Sequence, residues 1–217
     1  MNQHDGGVRP QTRPMRGTCI TRTVDLANPR LIGVWKWNVD EASRRLYAVC
    51  VYAPNVLREA YPLDALQHLK DCFTHQGQKI EKMINWTRTQ LHAAGLQEGE
   101  TGLIESLSVD IRTPLANAYA DLFRRADFAI CLLDALWVQG ALTDAGHQER
   151  TGAMRRAPLS VLGEIRQAHA RCRAQSAERD VVPTAGVRPT RDGPLVRLWR
   201  PELGDQLTAL IPGAPSQ

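Results

Sequence analysis

Between Pro114 and Trp137 the sequence PLANAYADLFRRADFAICLLDALW puts apolar side chains at Leu115, Tyr119, Leu122, Phe123, Ala126, Ala129, Ile130, Leu133, Leu136 and Trp137. Steps of three and four residues are those of an α-helix, and an apolar face this wide has to be covered by other elements. The segment is therefore core or interface, and any fold for this chain must be wrapped around it. Thr113 is placed to cap the helix and Pro114 to occupy its first turn, while Gly140 supplies a stop.

The flanking sequence continues the pattern. In Ser106–Thr113, Leu107, Val109 and Ile111 alternate with Ser108, Asp110 and Arg112, the period of a half-buried strand. After a connector at 141–146, a second helix is expected from His147 to Ser176, with a break at Pro158. Its stripe of Val161, Leu162, Ile165, Ala168 and Cys172 is thin, and its other faces carry Arg. Upstream, Pro62 to Ala94 reads as another helix, kinked or split at Gly77 and ended by the glycines at 95, 99 and 102. Leu31–Trp37 and Arg45–Tyr52 are aromatic and β-branched, and they read as a two-stranded antiparallel unit packed through Trp35, Trp37, Tyr47 and Tyr52. No internal repeat or low-complexity tract is evident in the sequence.

The predicted fold class is α+β, mainly α: a strand-helix-helix core of the ribbon-helix-helix kind, with an additional long helix and a small N-terminal antiparallel strand pair. A chain of 217 residues supports one good core. Residues 1–18 read as a flexible basic arm, 19–180 as a single domain with the strand-helix-helix module at about 104–176, and 181–217 as a linker and tail. The tail contains a strand-like LVRLWR and a helical ELGDQLTALI.

Several function classes drop away. No apolar run reaches the roughly 20 residues that span a bilayer, so no membrane segment is expected. The N-terminal arginines precede no apolar stretch, so a secretory signal is not expected either and the predicted location is cytoplasmic. Cys19, Cys50, Cys72, Cys131 and Cys172 form no CxxC pair and fit free thiols. The net charge is +4, but its distribution is more informative. From Arg150 to Arg191 nine Arg face only Glu164, Glu178 and Asp180. An anionic partner, nucleic acid first, and a solvated Arg-rich helix both account for that excess.

His68, Cys72 and His75 fall on one side of the Pro62–Ala94 helix and are a zinc-competent set, yet no fourth ligand accompanies them, and ordinary helix residues are the simpler reading. No phosphate loop, GxSxG or HExxH signature is present, so neither an enzyme nor a cofactor is expected. Asp121 is placed to pair with Arg124 or Arg125, and Asp127 and Asp134 adjoin the apolar stripe as helix ion pairs or polar pins for a packing partner. The strand at Ser106–Thr113 has two readings: one arm of a ribbon paired between two chains, or a strand in the domain's own small sheet.

The stretch SVDIRTPLANAYADLFRRADFAICLLDALWVQGAL, followed by RRAPLSVLGEIRQAHARCR, resembles the AcaB-like family of conjugative-element proteins. The likeness extends over about residues 56–175 and lies in a strand ending in Thr-Pro, a helix with Ala126 and Asp127 midway, a Gly-bounded turn and a basic helix. It implies a homodimeric, ribbon-helix-helix-related regulator that binds double-stranded promoter DNA and controls transfer genes. By position, Ser108, Asp110 and Arg112 would face bases, with Arg112 suited to a guanine edge. Arg124, Arg125, Arg155 and Arg156 would contact phosphate. A different class of function is an accessory or scaffold protein of the same element that binds proteins through the long helix.

Overall fold

In the computed structural model, which describes residues 19–99, 102 and 104–181, Asn28 and Pro29 turn a strand into a helix. The strand, β1, is Ile20–Leu26, and the helix, α1, is Pro29–Tyr47. The Asn28 side chain accepts from the N–H groups of Arg30 and Leu31, and Pro29 fills the first turn, where its missing N–H costs nothing. Leu31, Trp35, Val39, Ala42 and Leu46 are buried along one helical stripe.

This overturns the expected strand pair at Leu31–Trp37 and Arg45–Tyr52. Their Trp, Val and Tyr content favours strands, but the apolar residues recur at three and four across the intervening NVDEASR, and burial of that stripe decides the outcome. Trp35 is buried, whereas Trp37 and Tyr52 stay exposed. After α1 the helix widens into a π turn over Ala48–Tyr52, where Pro54 has no N–H to give the preceding turn. A short α2 (Ala53–Leu57) and a 3-10 turn follow.

Helix α3 (Leu63–Ala93) runs unbroken past Gly77. Gly95, at φ 66, ends it, with the Leu96 N–H donating to the Leu91 carbonyl. Strand β2 is Glu105–Ile111, and α4 is Pro114–Val138. The expected cap is present: Thr113 Oγ1 accepts from the Ala116 N–H at 3.1 Å. Gly140 (φ 77) closes α4 as expected, with Gly140 and Ala141 donating back to Trp137 and Leu136. Helix α5 (Asp144–Val181) is continuous through Pro158, where a break was expected. Met154, Ala157, Val161, Leu162 and Ile165 are buried around the proline, and the Tyr119 hydroxyl donates to its carbonyl. Packing there outweighs the one lost backbone bond.

β2 pairs antiparallel with β1 of the same chain, from Ile20 opposite Ile111 to Leu26 opposite Glu105. The expected ribbon between two chains is therefore replaced by pairing in cis, and the small sheet is made of residues other than the N-terminal pair foreseen. The pairing also exposes a repeat that was missed. Thr21–Pro29 (TRTVDLANP) and Ser106–Pro114 (SLSVDIRTP) match at both hydroxyls, Val-Asp, the aliphatic residue, the capping residue and the proline. Thr23 lies opposite Ser108, its own counterpart. A two-fold axis passing between those residues relates β1 and α1 to β2 and α4. The chain is thus two strand-helix-helix units, β1-α1-α3 and β2-α4-α5, with α2 and its flanking turns inserted in the first.

The sheet packs mainly on α1 and α4, while α3 packs on α4, α5 packs on both α1 and α4, and α3 and α5 pack on each other. Trp35, Phe123, Tyr119 and Phe73 form an edge-to-face chain through α1, α4 and α3, with centroids 5.2, 5.2 and 6.3 Å apart. The predicted arm at 1–18 lies outside the described residues, as does the predicted linker and tail at 181–217 except for Val181, which ends α5. Because Asn28 and Thr113 perform the same task, Asn28→Ala and Thr113→Ala should each lower the free energy of urea unfolding by about 1 kcal/mol. A loss confined to one of them would contradict the equivalence of the two junctions.

Candidate nucleic-acid interface

Period-two alternation sorts the two strands. Val24, Leu26, Leu107 and Val109 point into the core, while Thr21, Thr23, Asp25, Ser106, Ser108 and Asp110 face solvent. Thr21 Oγ1 donates to Asp110 Oδ1 at 3.1 Å, and Ser106 Oγ donates to Asp25 Oδ1 at 2.6 Å. The two bonds are images of each other about the axis at Thr23 and Ser108. The outer face is therefore a symmetric row of short hydroxyls, which donate and accept, and carboxylates, which only accept. Side chains this short let another surface approach the ribbon backbone closely.

Thr21, Thr23, Asp25 and Ser106 were missed in the sequence. The signal that would have found them is the Val-Asp-aliphatic-x-cap-Pro repeat, which is too short to register before the strands are paired. Ser108 and Asp110 stand on the outer face as expected. Arg112 does not project beside them: its side chain is only 14% exposed, and its guanidinium lies 3.9 Å from Asp110.

The other expected contacts are spread over α4 and α5. Arg124 donates to Asp121 Oδ1 through Nε and Nη2 at 3.1 and 3.0 Å, the pairing foreseen, and Arg22 of β1 reaches the same oxygen at 3.4 Å. Arg124 is thereby tied to the edge of the ribbon. Arg125 turns to α3 instead, donating to the Gly77 carbonyl and the Glu81 carboxylate. Arg155 is pushed below the usual guanidinium range, first by burial and then by Arg30, with Asp134 opposing and Arg156 adding to the shift. Arg156 is exposed on α5. The structure thus gathers Ser108, Asp110 and Arg112 with Arg22 and Arg124, and directs Arg125 elsewhere.

Two polar residues of α4 hold the surroundings in place. Asp127, 5% exposed, accepts from the N–H groups of Asn28 and Ala27 at 2.8 and 2.9 Å, clamping the β1-α1 junction. Ser43 of α1 makes the reciprocal tie by donating to the Asp110 carbonyl. Asp134 bonds His147 at 2.6 Å beneath the Trp137 ring, pinning α5 to α4. The His68, Cys72, His75 set is not assembled. His68 pairs with Glu164, His75 lies farther along α3, and no group of three or more candidate metal ligands occurs among the described residues.

No family model and no curated protein matches the chain. Among solved structures, it is similar to the crystal structure of AcaB from uropathogenic E. coli, with a TM-score of 0.69 and 16% sequence identity over 83% of this chain and 94% of that one. The chain has an AcaB-like fold. No described helix is long and apolar enough to cross a membrane.

Burial pushes the Asp127 carboxyl above its ordinary value of 3.8, outweighing the two N–H bonds that favour the ion. In the native state it holds its proton to higher pH than in the unfolded chain. Its contribution is complete below the ordinary value and is lost as pH rises through the folded one. The stability of the wild type relative to Asp127→Asn, compared by urea unfolding at about pH 3.5 and pH 7, should therefore fall as pH rises. A relative gain would reverse the assignment.

Proposed function

We propose that the protein is a DNA-binding regulator of a conjugative or integrative element, and that it recognises DNA through the β1-β2 ribbon formed within one chain. The observation carrying this reading is the ribbon's outer face, a two-fold row of Thr21, Thr23, Asp25, Ser106, Ser108 and Asp110 on a two-stranded antiparallel unit. Such a ribbon fits the major groove, where hydroxyls serve either base edge and a carboxylate accepts from a cytosine amino group. Asp25 and Asp110 repel phosphate, so backbone contacts fall to the cations at the rim. These are Arg22 and Arg124 at Asp121 and Lys36 at Glu105. The AcaB-like fold supports the reading, as does the sequence resemblance with its implication of transfer-gene control.

The symmetry adds a requirement. Equivalent residues from the two halves meet the two sides of one site, so its base sequence is an approximate inverted repeat and one chain supplies the complete ribbon. This replaces the homodimeric ribbon expected from the sequence. The second reading, a scaffold protein that does not bind DNA, is favoured by the exposed Trp137 and Val138 at the end of α4, 41% and 75% accessible.

Fluorescence anisotropy with duplex from upstream of the protein's own operon, at two salt concentrations and against unrelated duplex, decides between the readings. Specific binding should weaken steeply with salt. Asp25→Asn and Asp110→Asn should each change specific affinity by about 1–3 kcal/mol, to similar extents. Absence of binding at micromolar protein and low salt would transfer the assignment to the scaffold role.

A further inference from the structure

On the side of α1 and α4 away from the sheet, α3 and α5 flank a cleft of about 370 Å³. His75, Lys79, Lys82 and Trp86 line it from α3 at successive steps of four, three and four, a single stripe of the helix. Arg150 of α5 closes the other side, its guanidinium over the Trp86 ring at 3.9 Å from the centroid. No carboxylate lines the cleft. Glu81, the acidic residue nearest along α3, is drawn to Arg125. Lys79 and Lys82 are exposed, and no ion pair involves either among the described residues.

Cations gathered this way repel one another, and a bound anion relieves that repulsion. The shape of the array narrows the choice of anion. At 1.5 Å per residue, the stripe from His75 to Lys82 extends about 10 Å, longer than one phosphate group and suited to successive phosphates of a strand. An aromatic ring and an Arg stacked on it, set in a basic trough, are what single-stranded nucleic-acid sites use to hold base and backbone together. We propose that the α3-α5 cleft binds single-stranded nucleic acid, with phosphates on Lys79, Lys82 and Arg150 and a base against Trp86. This site is independent of the ribbon, because the sheet packs on the opposite side of α1 and α4.

The test uses the full chain and a fluorescein-labelled oligothymidylate of about eight nucleotides, a length within the usual range for one such site. Competitors are tripolyphosphate and a duplex of equal length. Binding should weaken with salt, fall at least tenfold in Lys79→Glu/Lys82→Glu and several-fold in Trp86→Phe, and remain unchanged in Thr23→Ala/Ser108→Ala. An unlabelled oligomer should quench tryptophan emission in the wild type but not in Trp86→Phe. Circular dichroism checks that the variants fold. The assignment is overturned by salt-insensitive or absent binding, or by no effect of the charge reversal. It is equally overturned if tripolyphosphate displaces the oligomer at the same concentration, marking a small-anion site, or if the duplex competes better. Absence of promoter binding by the wild type, with oligomer binding intact, would count against the ribbon alone.

Discussion

Helix α4 buries Ala116, Tyr119, Ala120, Leu122, Phe123, Ala126, Ala129, Ile130, Leu132, Leu133 and Leu136, residues that cover well over half of its circumference and leave only the side of Asp121 and Arg124 to solvent. No single neighbour can cover such a helix, and the remaining architecture answers that need: α1, α3, α5 and the sheet each pack against it. Its alanines let neighbouring backbones approach closely, and its aromatic residues fill the space between α1 and α3. Asp127, the one buried charge on α4, secures the β1-α1 junction to the same helix. Strand pairing and core packing are consequently coupled.

The two-fold relation accounts for how the halves interleave. Helix α1 of the first unit packs on α5 of the second, and α3 of the first packs on α4 of the second. Neither half has a complete core alone, as in an intertwined dimer whose chains have been joined. With both halves in one chain, ribbon formation carries no cost of association. The two halves are nonetheless not identical. Only the first carries the π turn and α2, and the first helix of the second, α4, buries a wider face than α1 does.

Where a local pattern and the packing agreed, the sequence was readable. The Ser106–Thr113 alternation, the Thr113 cap, the α4 periodicity and the Gly140 stop are each complete within a few residues, and each appears in the structure. The residues around Trp35 were misread because aromatic and β-branched content speaks for strands while their spacing speaks for a helix, and burial favours the spacing. Pro158 was misread as a break because its cost is local and its compensation, from Tyr119 and the apolar residues of α5, is not. Half of the ribbon face remained hidden because Arg22 interrupts the apolar alternation of Ile20, Val24 and Leu26, so that β1 stands out as a strand only once its partner, far along the chain, is known. Arg112 follows the outward parity of Ser108 and Asp110, yet its side chain is largely buried, 3.9 Å from Asp110.

The ribbon is closed within one chain, with Thr23 facing Ser108. In a variant with its native cysteines replaced by serine or alanine, Thr23→Cys and Ser108→Cys stand opposite each other across the strand pair, the placement from which a cross-strand disulfide or a short bifunctional reagent can join them. Oxidation or cross-linking of the dilute protein, followed by non-reducing electrophoresis, reads the pairing directly. Pairing within one chain should give a cross-linked single chain whose yield is independent of protein concentration. A cross-linked dimer whose yield rises with concentration would show that the ribbon is built between chains and would contradict it.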